Sequence, residues 1–217
     1  MKLEGKKINF LGDSITEGCG TDYRFDQMIA DETGAICRNY GIGGTRIARN
    51  VKPSLNPLFD QYYDSRVDNM DPDADVIVVF GGTNDFGHGD AMPGTMSDRT
   101  VDTFYGALHC LITHLKTRYP RAEIVFITPL HRLNENCPDG DGGFKPYGTY
   151  APLKRYVNII REVCEYYSLP VLDLWRNSGL QPSIPVVQEL YIPDGLHPNR
   201  AGHEIIASRL IGLLEKL

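Results

Sequence analysis

Four short segments carry residue types suited to acyl-transfer chemistry. The first is Gly12-Asp13-Ser14-Ile15-Thr16, directly after an apolar run. A serine at a sharp strand-to-helix turn is exposed at the carboxyl edge of a sheet, where its own backbone N–H can point at a developing oxyanion. The same position suits a serine that only caps the following helix. The second segment is Asp194-Gly195-Leu196-His197-Pro198. In a tight turn, side chains three residues apart can share one side, so the Asp194 carboxylate can accept a hydrogen bond from Nδ1 of His197 and leave Nε2 facing a serine. The competing view is a turn aspartate and a surface histidine ahead of a helix.

Gly81-Gly82-Thr83-Asn84-Asp85 follows the run Val76 to Phe80, so Asn84 offers an N–H donor at the same edge as Ser14. An Asx-turn or helix cap is the commoner use of such an asparagine. Asn39-Tyr40-Gly41-Ile42-Gly43-Gly44-Thr45 closes the set. Its glycines allow close backbone approach, which makes the Gly44 N–H a further donor. The spacing is G-x-G-G and not the G-x-G-x-x-G of a dinucleotide site.

These segments need a scaffold that brings distant chain positions to one edge, and the hydrophobic pattern supplies it. Short apolar runs at Ile8 to Leu11, Ile36 to Tyr40, Val76 to Phe80, Ile124 to Thr128 and Val171 to Leu174 read as buried parallel strands. Between them, helical stripes run from Val101 to Leu115, Leu153 to Ile160 and Ile206 to Leu217, with weaker ones at about residues 25 to 33 and 58 to 70. The alternation predicts an α/β fold: a three-layer α/β/α sandwich on a five-stranded parallel sheet of flavodoxin-like order. With no linker or break in composition, residues 1 to 217 read as a single domain.

Together the four segments resemble the conserved blocks of the SGNH hydrolase family, the GDSL-like lipases and acylhydrolases, in residues, order and spacing. The resemblance spans essentially the whole chain. It implies a serine esterase with Ser14 as nucleophile, His197 as base and Asp194 as its orienting acid. It also implies an oxyanion hole of the Ser14 N–H, the Gly44 N–H and the Asn84 amide, with Asn39 favouring Gly44 over its neighbour Gly43. No cofactor is implied. The absence of G-x-S-x-G removes the α/β-hydrolase alternative.

Other features narrow the partners. A net charge of -6 without a basic cluster argues against nucleic acid. No run of about 18 apolar residues points to a membrane span, and the charged start MKLEGKK lacks a secretory apolar stretch. Five cysteines without a C-x-x-C pair fit a reducing cytoplasm. His109 and His114, five apart on a helical stretch, do not form a metal-binding H-E-x-x-H, and His203 reads as packing or capping. The loop from 131 to 150 is dense in Gly, Pro, Asn and Asp and leaves the catalytic edge. Its His131, Tyr147 and Tyr150, with Phe86, are candidates for lining the pocket, or are surface filler. That polar, aromatic loop and twelve tyrosines favour an acetyl ester of a carbohydrate. The alternatives are a lysophospholipase or thioesterase for longer chains, and a non-catalytic binding module on the same fold. Oligomeric state leaves no mark in the sequence.

Overall fold

The computed structural model describes residues 1–142 and 151–217. Among these, β1 (Lys7–Gly12), β2 (Ile36–Gly41), β3 (Val76–Phe80), β4 (Glu123–Ile127) and β5 (Val171–Leu172) form one parallel sheet in the order β2-β1-β3-β4-β5. This is the flavodoxin-like order expected, and it puts the topological switch point between β1 and β3, where open α/β sheets bind ligands beyond the carboxyl ends of their strands. The registers align Gly41, Gly12, Phe80, Ile127 and Leu172 in one row, so every segment after them leaves from the same edge.

Alternate residues of each strand feed opposite layers. Ile77, Val79, Ile124 and Phe126 pack with Leu108, Leu111, Ile160 and Val163 of α4 (Phe104–Arg118) and α5 (Leu153–Tyr166). Val76, Val78, Val125 and Ile127 pack with Phe25, Ile29, Ile206 and Leu210 of α2 (Phe25–Thr33) and α8 (Arg200–Leu214). Two cores on two faces are why the strands read as continuously apolar.

Several boundaries differ from the sequence expectation. The last strand stops at Leu172 because the Asp173 side chain accepts the Arg176 N–H and opens α6 (Leu174–Asn177). The weak stripe at 58 to 70 is two 3-10 segments, Pro57–Asp60 and Tyr63–Asn69, and not an α-helix. The short helices α1 (Ser14–Glu17), α3 (Thr83–Gly87) and α7 (Pro185–Tyr191) lack the length to show a stripe, although Pro185 in the first turn marks the start of α7. Among the described residues no helix is long and apolar enough to cross a membrane.

Candidate active site

Ser14 sits at the first position of α1, at the carboxyl end of β1. The helix is capped by Asp13, whose Oδ1 accepts the Ile15 N–H at 3.0 Å, so the serine hydroxyl is not used as a cap. It lies instead 3.0 Å from Nε2 of His197. Nδ1 of the same ring is 2.7 Å from Oδ2 of Asp194, while Oδ1 accepts the N–H groups of Leu196 and His197 at 2.8 and 2.7 Å. Asp194 is therefore both the turn residue and the partner of the imidazole. Partial burial pushes its carboxyl up, but the bonds from the His197 backbone and ring and from Leu196 outweigh this and hold it below the usual carboxylate range. With Nδ1–H donating to Asp194, Nε2 is left with a lone pair for the serine proton.

Asn84 lies in the first turn of α3 after β3, and it neither caps that helix nor forms its own turn; its Nδ2 donates to the Thr45 carbonyl at 3.0 Å. Gly44 has φ +74°, and a Cβ there would stand 2.5 Å from the Phe59 ring, so this position requires glycine on both counts. The Gly43 N–H donates to Oε2 of Glu17 at 2.8 Å, whereas no hydrogen bond to the N–H of Gly44 or of Ser14 is found among the described residues. Glu17 can reach this point because β2 ends on bare backbone: a Cβ on Gly41 would lie 2.2 Å from the Glu17 nitrogen.

Ser14, Gly44, Asn84 and His197 line one open cleft of about 440 Å³. Ile42, Leu58, Phe59 and Leu196 give it an apolar side, and Glu17, His88 and Asp141 a polar one. Sequence reasoning missed most of these: Leu58 and Phe59 belong to a stretch taken for a helix, and nothing local marks Glu17 as a wall. Of the proposed lining residues, Phe86 is fully buried in the core, because α3 turns it inward. His131 packs tilted against Trp175 with 3.9 Å between ring centroids and bonds to Glu135, away from the cleft. Tyr147 and Tyr150 lie outside the described residues. Asp141, in the first part of that loop, does reach the cleft, with its carboxylate on the buried Arg132 at 2.5 Å.

Beneath the cleft is a buried polar layer that the sequence did not announce. Arg66 donates through Nη1 to the Tyr40 carbonyl at 2.8 Å and through Nη2 to the Gly12 carbonyl and Thr45 Oγ1, both at 3.1 Å. One guanidinium thus ties the ends of β1 and β2 to the turn that carries Gly44. The Asp85 carboxylate accepts the Ile47 and Ala48 N–H groups at 3.0 and 2.8 Å and anchors the same loop. Burial pushes the Asp13 carboxyl up to about 7, against the Ile15 hydrogen bond and the pull of His197.

The remaining histidines are occupied elsewhere. His109 bonds to Tyr167 and the Met96 carbonyl, and His114 to Asp64. His203 accepts the Phe25 N–H at Nδ1 and stacks on the Phe25 ring. No cluster of three possible metal ligands occurs among the described residues.

Comparison with known proteins places this geometry in context. The profile of the GDSL-like lipase/acylhydrolase family matches residues 10–205. A GDSL esterase/lipase of Arabidopsis thaliana is 29% identical over 210 residues, covering 93% of this chain and 82% of that protein. A protein of solved structure from Lactobacillus plantarum is 31% identical with a TM-score of 0.83, over 99% of this chain and 98% of that one. An acetylxylan esterase from Geobacillus stearothermophilus, 18% identical, shares the fold with a TM-score of 0.61 over 97% of this chain and 95% of its own.

Proposed function

The chain belongs to the GDSL-like lipase/acylhydrolase family of ester-hydrolysing enzymes, and from that premise we propose that it cleaves short-chain esters, foremost acetyl esters of carbohydrates, through an acyl-enzyme on Ser14. The observation that carries the reading is the continuous chain of contacts from Ser14 Oγ through the His197 ring to Asp194.

In the proposed mechanism His197 Nε2 takes the hydroxyl proton as Ser14 Oγ attacks the ester carbonyl, and Asp194 stabilises the imidazolium that forms. The carbonyl oxygen becomes an oxyanion, held by the N–H groups of Ser14 and Gly44 and the second N–H of the Asn84 amide. Collapse breaks the bond to the alkoxy oxygen, which leaves as the alcohol with the proton from His197. Water, deprotonated in turn by His197, then releases the acid and restores Ser14. None of these steps calls for a cofactor.

Acetyl preference is supported by the Phe59 ring, which stands against Gly44 and limits the space beside it. A hydroxyl-bearing alcohol is supported by Glu17, His88 and Asp141 on the polar side. A second reading, hydrolysis of longer acyl chains, draws on Leu58, an apolar side chain of the cleft wall that is exposed to water.

Release of p-nitrophenol from acetyl, butyryl and octanoyl esters separates the readings. The expected result is highest turnover on acetyl and its loss in Ser14→Ala. Preference for octanoyl would replace the acetyl reading with the longer-chain one, and no Ser14-dependent turnover on any ester would leave a binding module.

A further inference from the structure

The cleft holds a carboxylate that the ester chemistry leaves unused. Glu17 is three residues after Ser14 on α1 and lines the same cleft. Its Oε2 is fixed by the Gly43 N–H at 2.8 Å, so the charge is held at the mouth and not left on a swinging side chain. The other acids of the site have cations or an imidazole against them: Asp141 has Arg132 at 2.5 Å, and Asp194 has His197 at 2.7 Å. Among the described residues no Lys, Arg or His forms an ion pair with Glu17. Burial, and after it the charges of Glu17, Asp13 and Asp194, push up the thiol of Cys19, which also lines the cleft.

We propose that Glu17 is a specificity residue that makes the cleft reject esters whose alcohol portion is anionic, bearing a phosphate or carboxylate, and accept neutral or cationic ones. The proposal rests on the esterase reading and deepens it. A carboxylate one helical turn from the nucleophile faces the leaving alcohol, and an approaching anion meets a like charge that has no local counter-ion. A neutral polyol meets a fixed hydrogen-bond acceptor instead. Sugar acetates without acid groups fit this filter, whereas glycerophosphate esters and coenzyme A thioesters do not.

The test uses three aryl acetates of similar size: 4-acetoxybenzoate, 4-acetoxybenzamide and 4-acetoxyphenyltrimethylammonium. For each, kcat/KM of Glu17→Gln is divided by that of the wild type, which cancels the intrinsic reactivity of the leaving group. Glutamine keeps an oxygen for the Gly43 N–H and removes only the charge. At low salt the ratio is expected to be about fivefold higher for the anion, and about fivefold lower for the cation, than for the neutral ester. The wild type's own discrimination against the anion should shrink in 0.5 M NaCl, a readout that stands even if the variant folds poorly. Equal ratios for all three esters, or wild-type discrimination that ignores salt, would overturn the proposal while hydrolysis of the neutral ester keeps the esterase reading intact. Absence of Ser14-dependent hydrolysis of that neutral ester would remove both.

Discussion

The side-chain amide of Asn84 donates to the backbone carbonyl of Thr45 at 3.0 Å, tying the turn after β3 to the glycine turn after β2. One of its two N–H groups is spent on this bond, and the bond fixes the direction of the other. Replacing Asn84 by alanine should lower kcat by about 100- to 1,000-fold with little change in KM, as loss of one oxyanion donor does elsewhere. Steady-state kinetics on an acetate ester checks this. An unchanged kcat would remove Asn84 from the oxyanion hole.

Arg66 should matter to both fold and rate. Arg66→Met removes three hydrogen bonds from a charged donor at the ends of β1 and β2 and at Thr45, which should cost about 3 kcal/mol in denaturant unfolding. Arg66→Lys should recover only part, because one ammonium cannot span acceptors matched to a planar fork. A lysine variant equal to the wild type in stability and kcat would contradict the clamp.

Asp13 should make the fold less stable as pH rises. Burial holds its carboxyl at about 7 in the fold against 3.8 in the open chain, so between these values the folded state binds the extra proton. Stability relative to Asp13→Asn should therefore fall across that window by up to about 4 kcal/mol. Asparagine keeps an oxygen for the Ile15 N–H. Unfolding free energies of the two proteins that run parallel from pH 4.5 to 8 would refute this.

His203 should act in the opposite direction. Burial pushes it down to about 4 from 6.5, so the unfolded chain takes the proton first as pH falls. Its contribution is complete above about 6.5 and is lost toward 4, up to about 3 kcal/mol. His203→Asn, which retains an acceptor for the Phe25 N–H, should flatten the acid limb of the stability curve. An acid limb of unchanged slope would show that the proton goes elsewhere.

The blocks around Ser14, Asn84 and His197 were legible because each follows a strand or precedes a helix and carries its own local signature. Strand order was legible because fully apolar runs alternating with amphipathic ones leave few arrangements. The cleft walls were not, since Leu58, Phe59 and Glu17 reach it by how segments fold over one another, which no local pattern records. Phe86 shows the converse: next to a functional motif in sequence, it turns into the core because a five-residue helix, too short to leave a stripe, sets its direction. Arg66 was hidden for a related reason. Its importance comes from three acceptors contributed by residues 12, 40 and 45, far from it in the chain.

The most direct test of the Ser14, His197 and Asp194 assignment is mass spectrometry of the protein treated with a fluorophosphonate. One stoichiometric adduct is expected, located on the peptide that contains Ser14, absent in Ser14→Ala and formed far more slowly in His197→Ala. An unmodified wild type, or an adduct on another residue, would contradict it.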